Sequence, residues 1–174
     1  MHKFNYFSGF SLKNESSIFS ENFKPSPYNI VGFSLGAINA LEYALTTTLR
    51  VDKLTLLSPA FFLGCDKKFI RTQLIYFKKD RNSYIKNFLQ NSAYPTKRDL
   101  TQFLDAGNME ELRILLEYQW SKEKLEKLIQ KEIKIEVYLG SCDKIIDTKK
   151  AYDYFKDYAT VYYLKDKGHI LCKQ

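Results

Sequence analysis

Ser34 stands between Gly32 and Gly36 in the stretch YNIVGFSLGAINALEYA, residues 28–44, where a short apolar run gives way to apolar residues at helical spacing. A tight turn would account for the glycines. So would a Gly-x-Ser-x-Gly elbow, in which a strand turns sharply into a helix and lifts a serine hydroxyl clear of the backbone. The serine then takes a strained backbone conformation, and neighbours without Cβ atoms let strand and helix approach. The free N–H groups of the helix start lie beside the serine oxygen, where negative charge develops during acyl transfer.

A serine hydroxyl is a weak nucleophile at neutral pH unless a base takes its proton. The chain has two histidines. His2 opens the first predicted strand, where an exposed position is the default. His169, in LKDKGHIL, follows the last predicted strand, on the side where the C-terminal ends of parallel strands meet, and is the candidate base. An exposed loop histidine is the bland alternative. The base needs a carboxylate to fix its tautomer, and Asp143, Asp147 and Asp166 all fall near the last two strands. Asp147 suits a helix cap, and Asp166 lies three residues from His169 on one loop. Asp143 is therefore the candidate acid, its alternative being a turn-forming aspartate.

These groups need a scaffold. Five short β-branched or aromatic runs read as strands: 2–8, 28–33, 52–58, 133–140 and 160–165. Leu35, Ile38, Leu41, Leu45 and Leu49 form an apolar stripe over 35–50, and Ala151, Tyr154, Phe155 and Tyr158 do so over 148–158. Strands alternating with helices predict a mostly parallel sheet covered on both faces, an α/β fold. Strand signals stop over 62–130, where amphipathic runs at 69–79, 81–90, 109–118 and 122–129 are broken by NSAYPTKRD and DAGN. This block reads as a helical cap inserted within a single domain of residues 1–174.

An apolar fraction of 45% over 174 residues suffices for one substantial core and argues against disorder. No stretch approaches the roughly 20 apolar residues of a membrane span, and the N-terminus lacks the pattern of a signal peptide, so a cytoplasmic protein without membrane contact is expected. Cys65, Cys142 and Cys172 lack metal-ligand spacing and are expected as free thiols; with two histidines, no metal site and no cofactor are expected. The formal charge is +7, and residues 64–98 alone hold nine Lys and Arg against Asp66 and Asp80. That segment is either solvated surface or a docking face for an acidic partner. Trp120, near the end of a cap helix, reads as a packing anchor.

Serine, aspartate and histidine, in that order and each just after a separate strand, match the α/β-hydrolase arrangement. GFSLG, GSCD and KGHIL resemble that superfamily's nucleophile, acid and histidine signatures, and YFSGFSL resembles its first oxyanion loop, with Ser8 in place of the usual histidine. The resemblance implies that the backbone N–H groups of Phe10 and Leu35 form the oxyanion hole. Within the superfamily the chain is similar, over essentially its whole length, to the short pimeloyl-[acyl-carrier protein] methyl ester esterases of bacterial biotin synthesis. That likeness implies an acyl carrier protein bearing a pimeloyl methyl ester as partner and substrate, met by a monomeric enzyme through Arg71, Lys78, Lys79 and Arg81.

Two other classes compete. A general small-ester hydrolase, acyltransferase or thioesterase would use the same triad. A noncatalytic basic module binding nucleic acid would not, but the chain has no helix-turn-helix or RNP-like pattern, and its basic residues alternate with apolar helix positions, so no nucleic-acid partner is expected.

Overall fold

The structure is a computed structural model that describes residues 5–173; His2 and the predicted strand residues 2–4 lie outside the described residues. Among the described residues five strands form one sheet in the order β1-β2-β3-β4-β5: β1 Asn5–Phe7, β2 Asn29–Phe33, β3 Lys53–Leu57, β4 Lys134–Gly140 and β5 Thr160–Leu164. Every neighbouring pair is parallel. All of β2 is buried, as expected for a central parallel strand covered on both faces. The edge strand β5 departs from the expected two-sided cover: Tyr162 and Tyr163 are exposed, and Tyr162 stacks on its register partner Tyr138 at 4.6 Å between centroids.

Among the described residues six α-helices accompany the sheet: α1 Leu35–Thr46, α2 Lys67–Lys79, α3 Arg81–Ala93, α4 Met109–Glu117, α5 Lys122–Gln130 and α6 Thr148–Phe155. Helix α1 packs on β1, β2 and β3 and buries Leu35, Ile38 and Leu41, the stripe read from the sequence. It ends at Thr46, short of the predicted residue 50, because the chain enters a run of three threonines. Thr46 Oγ1 donates back to Glu42 O at 3.0 Å and Thr47 is extended, which leaves Leu49 66% exposed.

Between β3 and β4 the chain is helical, and its parts sit at different depths. Helix α5 packs on α1 and β4 and fully buries Leu125 and Leu128. Helix α4 rests on α1 and α2, while α2 and α3 form a hairpin around Asp80, whose side chain accepts from Ser83 N–H at 3.0 Å and caps α3. Trp120 is an anchor: it is buried and its Nε1–H donates to Ala60 O at 2.9 Å, tying the α4–α5 connection to the loop after β3. The connector after α3 is sewn to the loop after β1, with Lys13 N–H donating to Phe103 O at 2.8 Å and Asp105 N–H to Ser11 O at 2.8 Å.

Candidate active site

Strand β2 ends at Phe33, Ser34 has φ 54° and ψ −114°, and α1 begins at Leu35. A positive φ at a residue with a Cβ is strained, and packing must hold it. The glycines permit that packing: a Cβ on Gly32 would lie 2.1 Å from Gly36 O, and one on Gly36 would lie 2.0 Å from Phe7 O and 2.5 Å from Ser8 O. Ser34 occupies the cap position of α1, yet its side chain makes no capping bond. Its hydroxyl faces His169 instead, with Oγ 3.0 Å from Nε2. This decides between a plain turn and an elbow.

The other ring nitrogen of His169 lies 2.6 Å from Asp143 Oδ2. With Nδ1–H donating to the carboxylate, the Nε2 lone pair is left toward Ser34. Asp143 is itself oriented by Ile145 N–H, at 2.7 Å, and Ile146 N–H, at 3.2 Å, both donating to Oδ1. The side chains of His169 and Asp143 are fully buried. The alternative carboxylates go elsewhere: Asp147 accepts Lys150 N–H at 3.1 Å and caps α6, and Asp166 is an exposed residue with φ 61°.

The acid and histidine loops are bound to one another by backbone. Cys142 N–H donates to Lys167 O at 2.8 Å and Ser141 N–H to Leu164 O at 2.9 Å. Ser58, which the sequence did not single out, donates through Oγ to His169 O at 2.6 Å, and the Phe33 ring lies 5.0 Å from the imidazole. The only foretaste of Ser58 in the sequence is its place just after β3, at the same strand ends as Ser34 and His169.

Phe10 lies in the loop after β1, fully buried against Phe77 of α2 and Phe88 of α3, with ring centroids 6.1 and 5.3 Å away. Neither its N–H nor that of Leu35 is engaged by another group among the described residues. Glu15 was also missed. It is fully buried and accepts Gly9 N–H at 2.8 Å and the Tyr6 hydroxyl at 3.0 Å through Oε1. Burial, and then the Glu15 charge and hydrogen bond, push the Tyr6 phenol far above its usual range.

Ser34 is 1% exposed and His169 0%. A cavity of about 600 Å³ is lined by residues of α2 and α3 together with Phe62, Leu116 and, next in sequence to Asp143, Lys144 and Ile145. A second, of about 870 Å³, lies across α3, with Ile85, Leu89 and Leu100 below and Arg81, Lys86 and Lys97 at its rim. Arg71, Lys78, Lys79 and Arg81 are exposed on the hairpin, and none has an ion-pair partner among the described residues. All three cysteines are free thiols. Among the described residues no group of three or more His, Cys, Asp or Glu is placed to hold a metal ion, and no helix is long and apolar enough to cross a membrane.

A parallel sheet with Ser, Asp and His gathered at its strand ends has the α/β-hydrolase fold, as solved structures bear out. BioG from Haemophilus influenzae superposes with a TM-score of 0.58 at 16% identity, over 95% of this chain and 87% of that one. Naproxen esterase, carboxylesterase NP from Bacillus subtilis, gives 0.53 at 20% identity, over 82% of this chain and 53% of its own. In sequence, ribonuclease HII of Methanocaldococcus jannaschii is 31% identical over 84 residues, 45% of this chain and 36% of that protein. The chain thus spans about a third of the curated relative's length and about half of the naproxen esterase. No family model matches the chain.

Proposed function

We propose that the protein is a serine carboxylesterase that hydrolyses the methyl ester of pimeloyl-[acyl-carrier protein] methyl ester to methanol and the free acid on its carrier. The continuous contact Asp143–His169–Ser34 carries this reading. The sequence likeness to the short esterases of that reaction supports the choice of substrate, as does the match to BioG along nearly the whole of both chains.

In this reading Ser34 Oγ attacks the ester carbonyl while His169 Nε2 takes its proton, and Asp143 stabilises the imidazolium. The Phe10 and Leu35 N–H groups receive the tetrahedral oxyanion. Its collapse expels methoxide, protonated by His169 to methanol, and leaves an acyl ester on Ser34. Water, deprotonated by His169, attacks that ester; collapse breaks the bond to Ser34 Oγ, which takes the proton back from His169, and the carboxylic acid is released. Helices α2 and α3 act as a cap: Ser34 is buried, so the protein opens to admit an ester, and the 600 Å³ cavity lined by the hairpin takes the acyl chain.

The partner is an acidic carrier docking as one copy on one enzyme monomer. Arg71, Lys78 and Lys79 on α2 and Arg81 on α3 surround the exposed apolar side chains Ile75 and Tyr76. Unpaired positive charge around apolar contacts speeds encounter and fixes orientation. The test is to incubate the purified protein with pimeloyl methyl ester on acyl carrier protein and on pantetheine alone, and to detect the free acid by mass. Preference for the carrier-linked ester supports the reading; equal turnover of both favours a general small-ester hydrolase, and no hydrolysis of either overturns it.

A further inference from the structure

The loop after β1 is fixed at Gly9 and along Ser11–Lys13 by hydrogen bonds. The Phe7 and Ser8 carbonyls press on Gly36, where a Cβ would come within 2.0 and 2.5 Å of them, so the loop lies on the first turn of α1 beside Leu35. Leu12 N–H donates to Gly9 O at 3.1 Å, and Gly9 N–H donates to Glu15 Oε1 at 2.8 Å. Both polar atoms of Gly9 are therefore fixed, and the next N–H along the chain, that of Phe10, has no protein partner among the described residues.

Glu15 reaches Gly9 because Asn14, with φ 58° in the left-handed region, turns the chain back beneath the loop. Its place is otherwise unfavourable: the residue is 0% exposed and Oε2 is buried with no partner among the described residues. A buried, half-satisfied carboxyl is a poor device for stability, since an apolar side chain of like volume avoids the desolvation. Local violations of this kind gather at functional sites.

We propose that Glu15 is the positioning residue of the oxyanion hole: by accepting Gly9 N–H it anchors the Ser8–Gly9 peptide, and with Gly9 O held by Leu12 N–H both sides of Gly9 are fixed, so that the Phe10 N–H of the next peptide faces the carbonyl oxygen of an ester on Ser34. The proposal rests on the esterase reading above. Glu15 touches no reacting atom and acts through the loop alone. Its effect belongs to the transition state, where charge builds on that oxygen, and so to kcat rather than KM.

The test is steady-state hydrolysis of p-nitrophenyl butyrate by wild type, Glu15→Leu and Glu15→Gln, with a thermal melt of each and labelling of Ser34 by a fluorophosphonate. Losing one oxyanion donor lowers kcat by about 10²–10³, and a misaimed donor in Glu15→Leu is expected to cost at least about 30-fold in kcat with KM within about threefold. Glu15→Gln keeps an acceptor for Gly9 N–H and is expected to recover kcat to within about fivefold of wild type. A folded Glu15→Leu with kcat within about threefold of wild type, or with its whole loss in KM, overturns the proposal. Should that variant fail to fold, Glu15→Asp, one methylene short of Gly9, is read by the same criteria. Wild type that neither labels nor turns over removes the esterase reading and this proposal together, whereas an active wild type with an unaffected Glu15 variant removes this one alone.

Discussion

His169 Nε2 sits 3.0 Å from Ser34 Oγ, although 135 residues of chain separate the two. The contact joins two loops at the ends of β2 and β5, on opposite sides of the sheet's midline; Phe33 and Asp143 contact the imidazole, and Ser58 holds the His169 backbone carbonyl.

Removing either partner is expected to abolish the chemistry and spare the fold. Ser34→Ala and His169→Ala should each lower kcat by about three to six orders of magnitude, by comparison with serine-hydrolase triads. Circular dichroism and ester turnover on the same preparation check this, and turnover within tenfold of wild type for a pure variant would take that residue out of the mechanism.

Two nearby aspartates should behave differently. Asp143→Asn exchanges an oxygen acceptor for a donor facing Nδ1–H and is expected to lower kcat by about 10⁴. Asp147 faces the first turn of α6, so Asp147→Ala should leave kcat near wild type and lower stability by about 1 kcal/mol, read as a fall of roughly 2–4 °C in Tm. The opposite ranking in kcat would exchange the two roles.

The elbow tolerates no side chain at Gly36. Gly36→Ala drives a methyl group into the Phe7 carbonyl, 2.0 Å away, where backbone rather than a flexible side chain must yield. Destabilisation of at least about 3 kcal/mol is expected, and a denaturant midpoint unchanged from wild type would contradict the packing.

Charge reversal on the hairpin should separate docking from chemistry. Replacing Arg71, Lys78, Lys79 and Arg81 by Glu is expected to raise KM for a carrier-linked ester at least about tenfold and leave hydrolysis of p-nitrophenyl butyrate unchanged. Rising salt should weaken wild-type turnover of the carrier substrate in the same direction. Loss of both activities would instead point to a collapsed cap.

A pH-dependent tie joins α1 to the α4–α5 region. Burial raises the Glu42 carboxyl, but hydrogen bonds from Lys124 and Tyr118 outweigh it and hold the group below its ordinary value of 4.5. A depressed pKa contributes stability above the unfolded value, which is lost as pH falls through the folded one. Glu42→Gln should thus lower Tm at pH 7 and converge with wild type in acid, by under about 1 kcal/mol for so exposed a pair. Parallel melting curves across pH 3–7 would count against it.

Sequence alone determined what local chemistry can dictate. The period of the apolar residues placed all five strands and α1 through α6, because burial on a pleated or helical surface imposes those spacings. Gly32, Ser34 and Gly36 were legible because a strand-to-helix turn so tight admits few residue types, and Asp147 because a helix start calls for a side-chain acceptor. The end of α1 was not, since back-bonding by Thr46 overrode a continuing apolar stripe. The contact between His169 and Asp143, the acid already chosen from the sequence, is made only in the tertiary structure, which alone decided that Ser58 braces the histidine backbone and that Glu15 lies beneath the loop after β1. The first two depend on where parallel strands far apart in sequence end relative to one another, and register between distant segments leaves no periodic trace along the chain; the third depends on the left-handed turn at Asn14, which folds Glu15 back onto Gly9.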